Sequence, residues 1–182
     1  MNHALEVELI ERVLKLLEQG TTHMAEGQAR APVERYLSPE RFAREERTLF
    51  RRRPLILGHA SRLAAPGDFF THDLAGVPIL CVRDRGGRFR AFLNVCRHRG
   101  TRVVEAEGGR DARSFACPYH AWTYGLDGRL LGLPHADGFP EIDRDKTGLV
   151  ALPAEEFAGF LWAVPTPGPG LDARAALGPL AA

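Results

Sequence analysis

Two short stretches of this 182-residue chain set a cysteine close to a histidine. Asn94-Val95-Cys96-Arg97-His98-Arg99-Gly100 offers one thiol and one imidazole, and Cys117-Pro118-Tyr119-His120 offers another of each, with residues 99–116 between the pairs. In an extended loop, side chains two apart project to the same side, so Cys96 and His98 can reach one object. Cys117 and His120 can reach it across a tight turn that Pro118 stiffens. A two-iron cluster with two thiolates on one iron and two imidazoles on the other needs such a set, each loop giving one ligand to each iron. A structural zinc ion also takes four Cys and His ligands and stands as the alternative, although a Cys-x-His half-site is a poor one for zinc. Cys81 lies in the apolar run Pro78-Ile79-Leu80-Cys81-Val82 and reads as a buried, inert thiol. Three scattered cysteines do not make a disulfide framework.

The segments that must position these loops are short and β-like. Leu55-Ile56-Leu57, Val77 to Val82, Phe89 to Leu93, Trp122-Thr123-Tyr124, Arg129-Leu130-Leu131 and Phe160 to Val164 are the strand signals. Between them lies turn chemistry at Pro66-Gly67-Asp68, Asp84-Arg85-Gly86-Gly87 and Leu126-Asp127-Gly128. This pattern predicts a mainly β, antiparallel domain, with the two ligand loops at neighbouring hairpin tips. Ahead of it, Leu5, Leu9, Ile10, Val13, Leu14, Leu16 and Leu17 recur at helical spacing, and the stripe reads as a packing face. Ser38 and Pro39 have the chemistry of an N-cap and a first helical position, predicting a second helix that runs to about Phe50. The expected organisation is a helical segment over 1–50, a β domain over 51–166 and a linker over 167–182, entered through the Pro/Gly run at 165–170.

Composition narrows the function. The chain is 45% hydrophobic and 26% charged, which suits a globular protein. A formal net charge of +1 gives no case for nucleic acid, and no apolar run reaches the length of a membrane span. Met1-Asn2-His3-Ala4-Leu5-Glu6 lacks the basic-then-apolar pattern of a signal peptide, so the expected location is cytoplasmic.

The two ligand stretches, the second extended through Ala121-Trp122-Thr123-Tyr124, resemble the Rieske motif of aromatic-ring-hydroxylating oxygenase α subunits. The likeness continues in Arg83-Asp84-Arg85-Gly86-Gly87 leading to Ala91-Phe92-Leu93, in Asp127-Gly128-Arg129-Leu130, and in Gly159-Phe160-Leu161-Trp162. It covers roughly residues 35–165, with a spacer at 99–116 slightly longer than the family's. The resemblance implies a Rieske-type domain of small stacked sheets with two cluster-binding hairpin loops. One [2Fe–2S] cluster would be held by Cys96, His98, Cys117 and His120. It implies a ferredoxin or flavin reductase as electron donor, and the catalytic domain of the same or a neighbouring α subunit as acceptor. In that family oxygen is activated at a mononuclear Fe(II) held by two histidines and a carboxylate in a separate C-terminal domain. The helical signature Asp/Asn-x-x-His-x-x-x-x-His does not occur here, since His3, His23, His59, His72 and His135 never recur at that spacing. No catalytic residue is therefore assigned. The expectation is the electron-delivering part of an oxygenase α subunit, an oxidoreductase component without a complete oxygen-activating site. A standalone Rieske ferredoxin-type carrier is the rival.

The neighbours of the ligands set further expectations. Rieske proteins of respiratory complexes carry an extra cysteine in each loop and a serine after the second histidine, where this chain has Arg99-Gly100 and Ala121-Trp122. Fewer hydrogen bonds to sulfur imply a potential toward the low end of the Rieske range. Arg97, Arg99 and Arg102 crowd the first loop, where cations favour the reduced form and attract an acidic partner, with a plain solvated loop arginine as the equal alternative for Arg102. Trp122 and Tyr124 are expected to shield the cluster and fill the core. Arg51-Arg52-Arg53 reads as a solvated helix end, and His72 and His135 as ordinary surface histidines.

Overall fold

A computed structural model of the chain describes residues 2–24 and 27–181. Three helices come first: α1 (His3–Glu18), α2 (Glu34–Leu37) and α3 (Pro39–Glu45). Strands β1 (Leu55–His59), β2 (Phe69–Leu74), β3 (Val77–Arg83) and β4 (Phe89–Leu93) follow. The short strands β5 (Gly108–Gly109), β6 (Phe115–Ala116), β7 (Thr123–Tyr124) and β8 (Leu130–Gly132) frame the ligand loops. Strands β9 (Ala151–Leu152), β10 (Ala154–Phe157) and β11 (Phe160–Ala163) lead to a last helix, α4 (Ala173–Leu177). The sheets run in the orders β5-β2-β3-β4-β9, β1-β11-β10 and β6-β7-β8. Their pairings are antiparallel, as the sequence predicts.

The apolar run in β3 has a physical explanation. Successive side chains of a strand face opposite ways, and β3 is covered on both sides. Leu80 and Val82 enter one core with Phe92, Cys96, Cys117, Trp122 and Tyr124. Ile79 and Cys81 enter a second core with Leu57, Phe70, Ala91 and Leu161. The first core fastens the β6-β7-β8 sheet to the five-stranded sheet, and the second does the same for β1-β11-β10. Each fully buried aliphatic side chain contributes about 1.5–3 kcal/mol of transfer energy. Cys81 has no exposed surface, and burial pushes its thiol far above the ordinary range, in keeping with an inert core residue.

Five strands escaped the sequence reading: the two-residue β5, β6 and β9, and the longer β2 and β10. In β2 the apolar phenylalanines give way to Thr71, His72 and Asp73, and β10 carries two glutamates, so neither reads as apolar alternation. Each belongs to a hairpin whose turn is Ala-Gly: Ala75-Gly76 joins β2 to β3, and Ala158-Gly159 joins β10 to β11. All four residues have positive φ, which fits the primed turns that match strand twist.

The helices begin as expected. The Ser38 hydroxyl accepts the Arg41 N–H at 3.2 Å, and the segment runs on to Phe50, its last turn widening so that Arg51 N–H reaches Glu46 O at 3.0 Å. Arg52 and Arg53 are exposed, as expected of a solvated helix end, and Arg51 is more enclosed. It is half-buried, with Nη2 donating to Glu46 at 2.9 Å while its carbonyl accepts Thr166 Oγ1 at 2.7 Å. The apolar stripe of α1 meets no partner, for no residue of that helix is buried among the described residues. No helix among them is long and apolar enough to cross a membrane.

Residues 167–181 do more than link. Ala173 is fully buried, its N–H donating to Glu155 of β10 at 2.7 Å, and Asp172 caps α4 by accepting Ala175 N–H at 2.8 Å. The helix therefore lies against the domain that precedes it.

Candidate metal centre

The first ligand loop leaves β4 and crosses to β5, on the far side of β2 and β3. A crossing of this length needs internal support, and Asn94 supplies it. Its side chain is fully buried, with Oδ1 accepting Val103 N–H at 3.1 Å and Val104 N–H at 3.0 Å. Its Nδ2 donates to Val104 O at 2.7 Å, and its backbone N–H donates to Pro78 O at 2.8 Å. The turn between is closed by Gly100 N–H to Cys96 O at 3.0 Å and by Cys96 N–H to Thr101 O at 2.8 Å. Arg102 ties the far end to β2 through a two-pronged pair with Asp73 at 2.8 and 3.0 Å. All three loop arginines are exposed, but Arg102 is paired with Asp73, whereas Arg97 and Arg99 make no ion pair among the described residues.

The second loop is a hairpin tip between β6 and β7. Cys117 N–H donates to Trp122 O, and Ala121 N–H donates to Cys117 O, both at 2.9 Å. To make that turn Ala121 takes φ +56, a left-handed conformation costly for a residue with a Cβ.

Together the loops bring the imidazoles of His98 and His120 to 4.7 Å between ring centroids, nearly edge to face. Trp122 lies flat on His98, with centroids 4.8 Å apart and planes 6° from parallel, and Phe139 meets both rings edge-on. Tyr119 packs on His120 at 3.8 Å. The two histidines are half-buried, whereas Cys96 and Cys117 are each 3% exposed and belong to one core. All three cysteines are free. Among the described residues, no three His, Cys, Asp or Glu side chains gather as the shell of a single ion.

Three observations fit these residues to a metal cluster. The Nδ1 of His120 is buried with no hydrogen-bond partner, an arrangement costing about 1–3 kcal/mol unless something else takes that lone pair. Burial, then the neighbouring His120 and Arg99, push the His98 imidazole below its ordinary pKa, toward the neutral form a metal needs. The third is the hydroxyl of Tyr124, which accepts Arg97 N–H at 3.0 Å and lies 3.3 Å from Cys96 Sγ. With that amide as donor, the phenol proton is left for the sulfur. Burial, then the Cys96 contact, raise the Tyr124 pKa well above its ordinary value, so the phenol remains a donor.

The sequence expectation gave Tyr124 a shielding and packing role and Asn94 none. Tyr124 fills the core and is also a donor to sulfur. The signal for Asn94 was a lone amide between an apolar strand and a cysteine, where a buried polar group must have partners. His135, expected to be an ordinary surface residue, lines a hollow of 490 Å³ beside His98 and His120.

Known proteins share both the sequence and the architecture. Residues 53–146 match the Rieske [2Fe-2S] domain family. The carnitine monooxygenase oxygenase subunit of Acinetobacter baumannii is 36% identical over 127 residues, 70% of this chain and 34% of that subunit. The biphenyl 2,3-dioxygenase subunit alpha of Rhodococcus jostii is 35% identical over 129 residues, 70% of this chain and 28% of that subunit. The crystal structure of the apo quaternary ammonium Rieske monooxygenase CntA superposes with a TM-score of 0.77 at 32% identity, covering 84% of this chain and 44% of that one. Naphthalene 1,2-dioxygenase from Rhodococcus sp. gives a TM-score of 0.77 at 30% identity, with 83% and 34% covered. The chain spans about a third of the length of the two oxygenase subunits it matches. With the loops, the strands around them and these likenesses in agreement, the chain belongs to the Rieske [2Fe–2S] domain family, a family that implies a two-iron, two-sulfide cluster, and its relatives are oxygenase subunits.

Proposed function

We propose that Cys96, His98, Cys117 and His120 hold the cluster, and that the chain is the electron-delivering part of an oxygenase α subunit. The carrying observation is the pairing of two half-exposed imidazoles 4.7 Å apart, with the two thiols sealed behind them. When bound, the cluster supplies a store for one electron. The protein's part is positional and electrostatic. Tyr124 and Trp122 keep water from the thiol side, Asn94 and the Arg102–Asp73 pair hold the first loop in register, and the imidazole edges face the surface. Electrons therefore exchange through the histidine side. The donor is a ferredoxin or flavin reductase. The acceptor is a mononuclear Fe(II) in the catalytic domain of the same or a neighbouring subunit, outside these residues. This reading divides the chain into the helical segment 1–50, the cluster domain 51–166 and the segment 167–182 leading to that domain. A cytoplasmic setting, where thiols stay reduced, suits the free cysteines. The oxygenase subunits among its relatives favour this reading over a separate ferredoxin.

Anaerobically purified chain should be red-brown, with about two irons and two sulfides per molecule. On reduction it should give the low-average-g signal of a mixed Cys/His cluster. Cys96→Ala and Cys117→Ala should each abolish assembly. A colourless protein with tetrahedral zinc would overturn the reading. With a competent reductase, the chain should take up one electron per cluster and form no hydroxylated product, and product formed after removal of free iron would reveal an oxygen-activating site within it.

A further inference from the structure

Helix α1 carries an apolar surface that neither core uses. It lies ahead of residues 53–146, the part that matches the Rieske family. Its large apolar side chains from Leu5 to Leu17 are mostly exposed, from 39% at Val7 to 70% at Leu17. At 3.6 residues per turn they cover about 200° of the helix surface. A stripe of that width is built to be buried, and a lone helix of 16 residues is marginal in water even when capped, as Asn2 caps Ala4 N–H here at 3.1 Å.

The stripe is self-complementary. Leu5, Leu9, Val13 and Leu16 follow one another by four, four and three residues, an 11-residue repeat that keeps to one line along a helix. Laid antiparallel on a second copy, the line sets Leu5 against Leu16 and Leu9 against Val13, twice over, so every layer is apolar. Ile10 and Leu17 border one edge and widen the contact. Glu8 and Arg12 flank the other edge, and neither makes an ion pair within its own chain among the described residues. In the antiparallel pair Glu8 of each copy meets Arg12 of the other. A parallel pair sets Glu8 near Glu6 of the other copy and gives Arg12 no acid. Four glutamates against Arg12 and Lys15 do not suit an anionic lipid surface.

We propose that α1 is a self-association element, through which two copies of the chain pair antiparallel along Leu5, Leu9, Val13 and Leu16. Residues 19–33 join α1 to α2 and span at most about 50 Å, long enough to keep the two β domains clear of each other. A helix about 24 Å long offers a small interface, so the pair is weak, with a dissociation constant of about 1–100 µM.

The test is sedimentation equilibrium of the full chain from about 1 µM to about 1 mM, with far-UV circular dichroism alongside. The mass should rise from 20.1 kDa toward twice that, and helix content should rise with it. Val13→Asp places a carboxylate among the leucines and should leave a monomer throughout. Arg12→Glu and Glu8→Arg should each weaken association about tenfold at low salt, since like charges then face each other at two places. An equal mixture of those two variants should associate as wild type does, because each supplies the charges that the other lacks, and high salt should remove this rescue. Pairing of positions 8 and 12 within one helix cannot produce a rescue between two chains. The proposal falls if the wild-type chain stays at 20.1 kDa up to about 1 mM, if it forms a trimer, or if Val13→Asp still pairs. It falls too if the mixture does not restore association, or if α1 binds phosphatidylcholine vesicles in preference to a second copy.

Discussion

Tyr124 Oη meets two groups separated from it by some thirty residues of chain, the Arg97 N–H at 3.0 Å and Cys96 Sγ at 3.3 Å. A hydrogen bond to a ligand sulfur is strongest when the centre holds its extra electron, so it favours the reduced state. Tyr124→Phe should keep the fold and the cluster but lower the reduction potential by about 60 mV, a tenfold shift in a one-electron equilibrium. Potentiometry that shows no downward shift would mean the phenol proton points elsewhere. Asp84 acts through pH. Burial pushes its carboxyl up, but the Arg88 N–H at 2.9 Å and the Arg90 guanidinium at 2.6 Å outweigh that and hold it below the ordinary carboxylate range. A depressed folded value means its stabilisation is complete above the unfolded value, about pH 4, and is lost as the pH falls through the folded one. Asp84→Asn should cost about 1–2 kcal/mol at neutral pH and flatten the acid limb of the stability curve, measured by urea unfolding from pH 7 to pH 2.

At the scale of elements, the turns carry the strain. Ala121 holds the second ligand loop at φ +56, where a Cβ is unfavourable. Ala121→Gly should therefore stabilise the chain by about 1 kcal/mol with the cluster retained, read as a higher denaturation midpoint. Gly128 is the opposite case. It sits at φ +85, and an added Cβ would come within 2.5 Å of the Phe92 ring in the core behind the loops. Gly128→Ala should cost about 2–3 kcal/mol and loosen both loops, lowering cluster content together with melting temperature. The β7–β8 turn was legible because Leu126-Asp127-Gly128 is a strong hairpin signal. The Ala-Gly turns at 75–76 and 158–159 were not, since alanine carries no preference for positive φ. With them went β2 and β10, whose polar residues hide the alternation.

At the scale of the molecule, two cores share strand β3, and the described residues ahead of β1 contribute to neither. None of α1, α2 or α3 has a buried residue, while Arg51 is fastened to Thr166. A chain that starts near Arg51 should bind its cluster normally and melt within about 4 °C of the full length, by differential scanning calorimetry. A larger drop would mean the helical segment supports the β domain in ways its exposure does not show.

The sequence by itself determined the family and the antiparallel class, because motif residues, short strands and turn chemistry are local properties of the chain. Cys96, His98, Cys117 and His120 could be proposed as the ligand set from two loops. Tertiary structure decided what surrounds them. Arg102 could be read as a free cation until Asp73 came within 2.8 Å, and His135 as an ordinary surface residue until the fold placed it beside His98 and His120. Asn94 and Tyr124 gained their partners across the cluster loops in the same way. These contacts join residues far apart in the chain. No local pattern encodes them, because each exists only once the two cores have closed and fixed the distances between loops.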